Sequence, residues 1–103
     1  MINVILSYQV KPEFVGQNKL NSIKILENFK KLDTATFEYN TYTIEDGVTF
    51  VHVSSYRVEK VQAEVLNVPS FEGFQRWRDE SGLHGTHKVE VLKYVGSANQ
   101  RLN

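Results

Sequence analysis

The chain has no cysteine among its 103 residues. That excludes a disulfide framework, a thiolate nucleophile and a thiolate metal site, and it leaves the redox compartment open. There is no excess charge of either sign, because twelve Lys and Arg balance twelve Asp and Glu. With no long basic run either, nucleic-acid binding is not expected. The stretch NFKK (28–31) reads as a solvated helix face, and RWRDE (76–80) as exposed helix charges around one apolar contact, Trp77. No apolar run approaches the ~18 residues needed to span a bilayer, and the first residues enter a strand pattern without a basic region or cleavage site. A soluble, cytoplasmic protein with no membrane partner is expected. The glycines form no phosphate-binding pattern.

What is present is an ordinary globular composition, 41% apolar, in a length that suits one domain spanning residues 1–103. Ile2, Val4, Leu6, Tyr8 and Val10 alternate as one face of a first strand, with Asn3, Ser7 and Gln9 opposite alongside Ile5. Pro12 ends it. From about Glu13 to Leu32 the period becomes helical, with Ser22, Ile25, Leu26, Phe29 and Leu32 on one side. Glu27 and Lys31 are spaced for a helical ion pair. Phe37–Ile44 and Val48–Tyr56 read as a hairpin over Asp46-Gly47, taken as a type I′ turn. Counting outward pairs Thr43 with Phe50, Thr41 with His52, Tyr39 with Ser54 and Phe37 with Tyr56. Residues 57–68 read as either a short helical turn or a loop. Pro69-Ser70 opens a second helix with Ser70 as N-cap, carrying Phe71, Phe74 and Trp77, and Gly82 ends it. His87–Val95 is the last strand, and the tail GSANQRLN (96–103) reads as frayed.

The order strand, helix, strand, strand, helix, strand predicts an α+β, ferredoxin-like βαββαβ fold: a four-stranded antiparallel sheet with both helices on one face. The other face would carry Ile5, Tyr42, Ile44, Val51 and Val53, a larger apolar patch than a soluble monomer usually exposes. Burying each would contribute roughly 1.5–3 kcal/mol. A second copy, sheet against sheet about a two-fold axis, is the expected partner.

VILSYQVKP, YTIEDGVTFVHV and VLNVPSFEGFQRW, in this order, resemble the dimeric α/β-barrel superfamily, in its antibiotic-biosynthesis-monooxygenase-like branch. The resemblance covers residues 2–95. It implies a homodimer in which two ferredoxin-like sheets face each other, with a pocket between each sheet and its own helices. Members include cofactor-free oxygenases of phenolic or quinol-like molecules, haem-degrading enzymes, and small stress-linked proteins. The monooxygenases tend to carry a polar residue in the middle of the third strand and an aromatic four residues later. His52 and Tyr56 match those positions. The axial histidine of the haem-degrading branch would fall at Gln75, a departure that ranks haem degradation last.

Two functions therefore stand. One is a monooxygenase that needs no cofactor, with His52 and Tyr56 catalytic and Tyr39, Phe50, Phe74 and Trp77 binding a hydrophobic aromatic or quinol-like substrate. The other is a non-enzymatic dimeric module for a small hydrophobic ligand or a stress response. His52 is either a base near its ordinary pKa of about 6.5 or a core histidine bonded to Thr41 or a tyrosine. His84 and His87 do not make a metal site, since zinc wants at least three ligands.

Overall fold

A computed structural model describes residues 1–98. Its elements are β1 (Ile2–Val10), α1 (Val15–Phe29), β2 (Phe37–Thr43), β3 (Thr49–Tyr56), α2 (Glu59–Leu66), α3 (Pro69–Trp77) and β4 (Leu83–Leu92). The four strands form one antiparallel sheet in the order β2-β3-β1-β4, the ferredoxin-like arrangement. The hairpin pairs as counted from the sequence, with Thr43 opposite Phe50 and Thr41 opposite His52.

The burial of β3 explains a strand that is apolar on both sides. Phe50, His52, Ser54 and Tyr56 are buried toward the helices, while Thr49, Val51, Val53 and Ser55 lie half-buried on the outer face. The core joins Leu6, Tyr8, Phe50 and Tyr56 of the sheet to Ile25 and Phe29 of α1, Val65 of α2, and Phe71 and Phe74 of α3. On the outer face Tyr42 and Ile44 are exposed, and Leu92 joins them because it pairs with outward-facing Asn3.

Several local expectations are corrected. The hairpin turn is not type I′, because Gly47 alone takes a positive φ there. Instead Gly47 N–H bonds back to Ile44, and the Asp46 carboxylate accepts the N–H groups of Val48 and Thr49 and the Thr49 hydroxyl. Those three donors hold the Asp46 pKa below the ordinary carboxylate value. Ser70 is not the N-cap of α3. Val68 holds that position, and Ser70 Oγ accepts from Asn28 of α1 instead. Glu27 pairs with Lys30, one residue short of Lys31. The ambiguous segment forms α2, which seals the sheet with Val65.

The last strand runs Leu83–Leu92, four residues earlier at its start and three shorter at its end than the pattern suggested. Gly85, at φ 83°, permits the irregularity by which Ser7 pairs with Lys88 but Gln9 with His84. The stretch HGTH (84–87) is thus part of the strand. The tail from Asn99 lies outside the described residues. No helix among the described residues is long and apolar enough to cross a membrane.

Candidate functional site

His52 sits in the middle of β3, between Leu6 of β1 and Thr41 of β2, and is 1% exposed. Both ring nitrogens are engaged. The Tyr8 hydroxyl lies 2.8 Å from Nε2 and the Tyr39 hydroxyl 2.8 Å from Nδ1. Asn18 Nδ2 donates to the Tyr8 oxygen at 3.0 Å. With that donor in place, the Tyr8 proton has one good acceptor among the described residues, His52 Nε2. The imidazole then carries its proton on Nδ1 and donates it to Tyr39. This direction leaves no buried hydroxyl proton stranded on Tyr8, and it frees the Tyr39 O–H to donate elsewhere.

Burial, with the nearby Arg78 charge as a second cause, lowers the His52 pKa to about 3. The ring is therefore neutral at physiological pH. Burial also raises the Tyr8, Tyr39 and Tyr56 hydroxyls above their ordinary value, against the opposing pull of Asn18 and Arg78 on Tyr8.

Arg78 is the residue that sequence reasoning missed. It is not an exposed helix charge but 1% exposed, at the start of a five-residue π-helical turn, Arg78–Gly82. The signal was present: Phe71, Phe74 and Arg78 are spaced by three and four residues, so all three fall on the buried stripe. Trp77 faces away and is 46% exposed. The Arg78 guanidinium lies 4.6 Å above the Tyr8 ring and 5.9 Å from the Phe74 ring centroid. Its Nε donates to Asp79 Oδ1 at 2.9 Å. Its Nη1 is buried without an acceptor among the described residues.

Between the sheet and α2 and α3 lies a cavity of about 170 Å³ that reaches His52, Tyr39, Tyr56, Gln75 and Arg78. Val4, Leu6 and Phe71 supply apolar wall, and exposed Leu66, His87 and Val89 lie at its open side. Of the residues singled out from the sequence, His52, Tyr56 and Tyr39 border this space. Phe74 packs 5.9 Å from the His52 ring without lining the cavity, and Phe50 stacks on Tyr8. Trp77 meets Phe14 edge-on, away from the cavity. A larger groove of about 390 Å³ between α1 and β2 has charged rim residues, Glu27 and Lys30, that satisfy each other. Among the described residues no cluster of three His, Asp or Glu is placed to hold a metal ion.

Sheet order and helix placement define the class: an α+β domain with the ferredoxin-like fold of the antibiotic biosynthesis monooxygenase structures. One structure of that description matches with a TM-score of 0.80 at 13% identity, over 93% of this chain and 100% of its own. The Rv0793 protein of Mycobacterium tuberculosis matches at 0.79 and 19% identity, over 95% and 98%. A cofactor-independent oxygenase from Streptomyces nogalater matches at 0.74 and 9% identity, over 96% and 97%. No protein-family profile and no curated protein matches the chain. At these identities the likeness is one of fold.

Proposed function

We propose that the protein is a small homodimeric monooxygenase that needs no cofactor and acts on an aromatic or quinol-like molecule in the cavity beside His52. The carrying observation is that cavity. It is lined by aromatic and hydroxyl-bearing side chains and bordered by a buried guanidinium, in a fold shared with a cofactor-independent oxygenase. In such a reaction the substrate supplies the electrons. A phenol loses its proton, and the anion reduces O₂. One oxygen atom ends in a quinone carbonyl and the other leaves as water.

The chain's residues divide the work. Arg78 favours the anionic form of the substrate by its charge. Tyr39 donates a hydrogen bond to the substrate oxygen. His52, whose nitrogens are both engaged and whose basicity is low, acts as a positioning residue that holds Tyr8 and Tyr39. The substrate proton passes to water at the open side near His87.

That weak, occupied histidine also favours the second reading, a binding module without turnover. Oxygen uptake on a panel of phenols and quinols, with no cofactor added, separates the two. The oxygenase reading expects uptake, with His52→Gln lowering kcat by about tenfold or more and changing KM little. Ligand binding with no uptake on any compound refutes it in favour of the module. Haem degradation gains no support, since Gln75 borders the cavity where that chemistry needs a histidine.

The homodimer is supported by the outer face, where Tyr42 is 56% and Ile44 50% exposed beside half-buried Ile5, Val51 and Val53.

A further inference from the structure

The cavity beside His52 is bordered by a charge that the protein answers only in part. The guanidinium carries a positive charge. Its ion-pair partner among the described residues, Asp79, has a side chain 44% exposed, so water screens much of that carboxylate's charge. Arg78 Nη1 has no acceptor among the described residues. Among the described residues the cavity lining includes no Asp or Glu, and His52 is neutral. The Tyr8 and Phe74 ring faces and the Tyr8 hydroxyl answer part of the charge, but a buried cation that keeps an unpaired N–H is costly unless something else answers it. A ligand with an oxyanion does so, and the Tyr39 hydroxyl, freed by the direction of the Tyr8–His52–Tyr39 chain, is a second donor on the same cavity.

The size of the space limits what carries that oxyanion. A cavity of about 150 Å³ holds one benzene ring. The present one, about 170 Å³ and open toward Leu66, His87 and Val89, encloses one ring and a small substituent, with Phe71 as apolar wall.

We propose that the cavity binds a single-ring aromatic monoanion, a benzoate or a phenolate, with its oxyanion on Arg78 and its ring against Phe71. This rests on the same cavity as the oxygenase reading but does not require turnover. It narrows the ligand from hydrophobic aromatics in general to those that are small and charged.

Calorimetric titration of the full chain with benzoate, 4-nitrophenolate, benzamide and 2-naphthoate tests it. At least one single-ring anion is expected to bind, with the neutral benzamide and the two-ring naphthoate each weaker by about tenfold or more. Arg78→Gln should abolish the preference for benzoate over benzamide. Should that variant fail to fold, the wild-type comparison of the two decides alone. Equal affinity for benzamide, equal or tighter binding of naphthoate, or no binding of either single-ring anion at millimolar concentration overturns the proposal. Anion binding without oxygen uptake leaves it standing while removing the oxygenase. Oxygen uptake with only neutral or multi-ring substrates does the reverse.

Discussion

Lowering the pH from 7 to 5 should destabilise the protein through one residue, His52. In the unfolded chain a histidine titrates near 6.5, whereas burial and the Arg78 charge hold the folded pKa at about 3. Between those values the unfolded state binds a proton that the native state refuses. Stability therefore rises with pH across that window and levels off above it. At pH 5 the unfolded side lies about 1.5 units below its pKa, which corresponds to about 2 kcal/mol lost relative to pH 7. For a domain of this size that is a large share of the total. Urea denaturation at the two pH values, followed by circular dichroism, reads the difference directly. His52→Gln is the control. It should be less stable at pH 7, because Tyr8 and Tyr39 lose their shared partner, but its midpoint should shift much less between pH 7 and 5. A wild-type midpoint that does not move, or a variant that keeps the full shift, refutes the reasoning. So would a His52 ring whose nitrogen resonances titrate near pH 6.5.

Two further outcomes follow from packing. A Cβ built on Gly82 would lie 2.1 Å from the Phe14 ring, so Gly82→Ala should cost roughly 1–3 kcal/mol by overpacking. The same urea titration checks this, and an unchanged midpoint would show that Phe14 yields freely. Tyr42→Glu places a charge on the exposed outer face, where the fold itself should tolerate it. Sedimentation equilibrium should give twice the chain mass for the wild type and a shift to single chains for the variant. A single-chain mass for the wild type at every concentration would refute the dimer.

The element order was legible because each element is read from its own residues. The period of two in Ile2–Val10 and of three to four across Ser22–Phe29 are local signals, and strand pairing in a hairpin follows by counting once the turn is located. The register of β2 against β3 survived even though the turn type did not, since either turn brings Thr43 opposite Phe50. The start of β4 was not legible. HGTH carries no alternation, and the strand exists there because β1 offers an edge and Gly85 accepts a positive φ.

The chemistry of the site divides in the same way. The sequence by itself put His52 on the same strand face as Phe50, Ser54 and Tyr56, because side chains alternate along β3. The spacing of Phe71, Phe74 and Arg78 is compatible with one stripe, but the charges of RWRDE read as solvent-exposed, and it is the fold that buries the arginine. Only the tertiary structure decided what that burial means. Tyr8, Tyr39 and Asn18 come from three different elements, and no local pattern says that they meet at one imidazole. A pKa is set by solvent exclusion and by charges near in space, so a histidine that the sequence leaves near neutrality becomes a weak base once the chain folds around it.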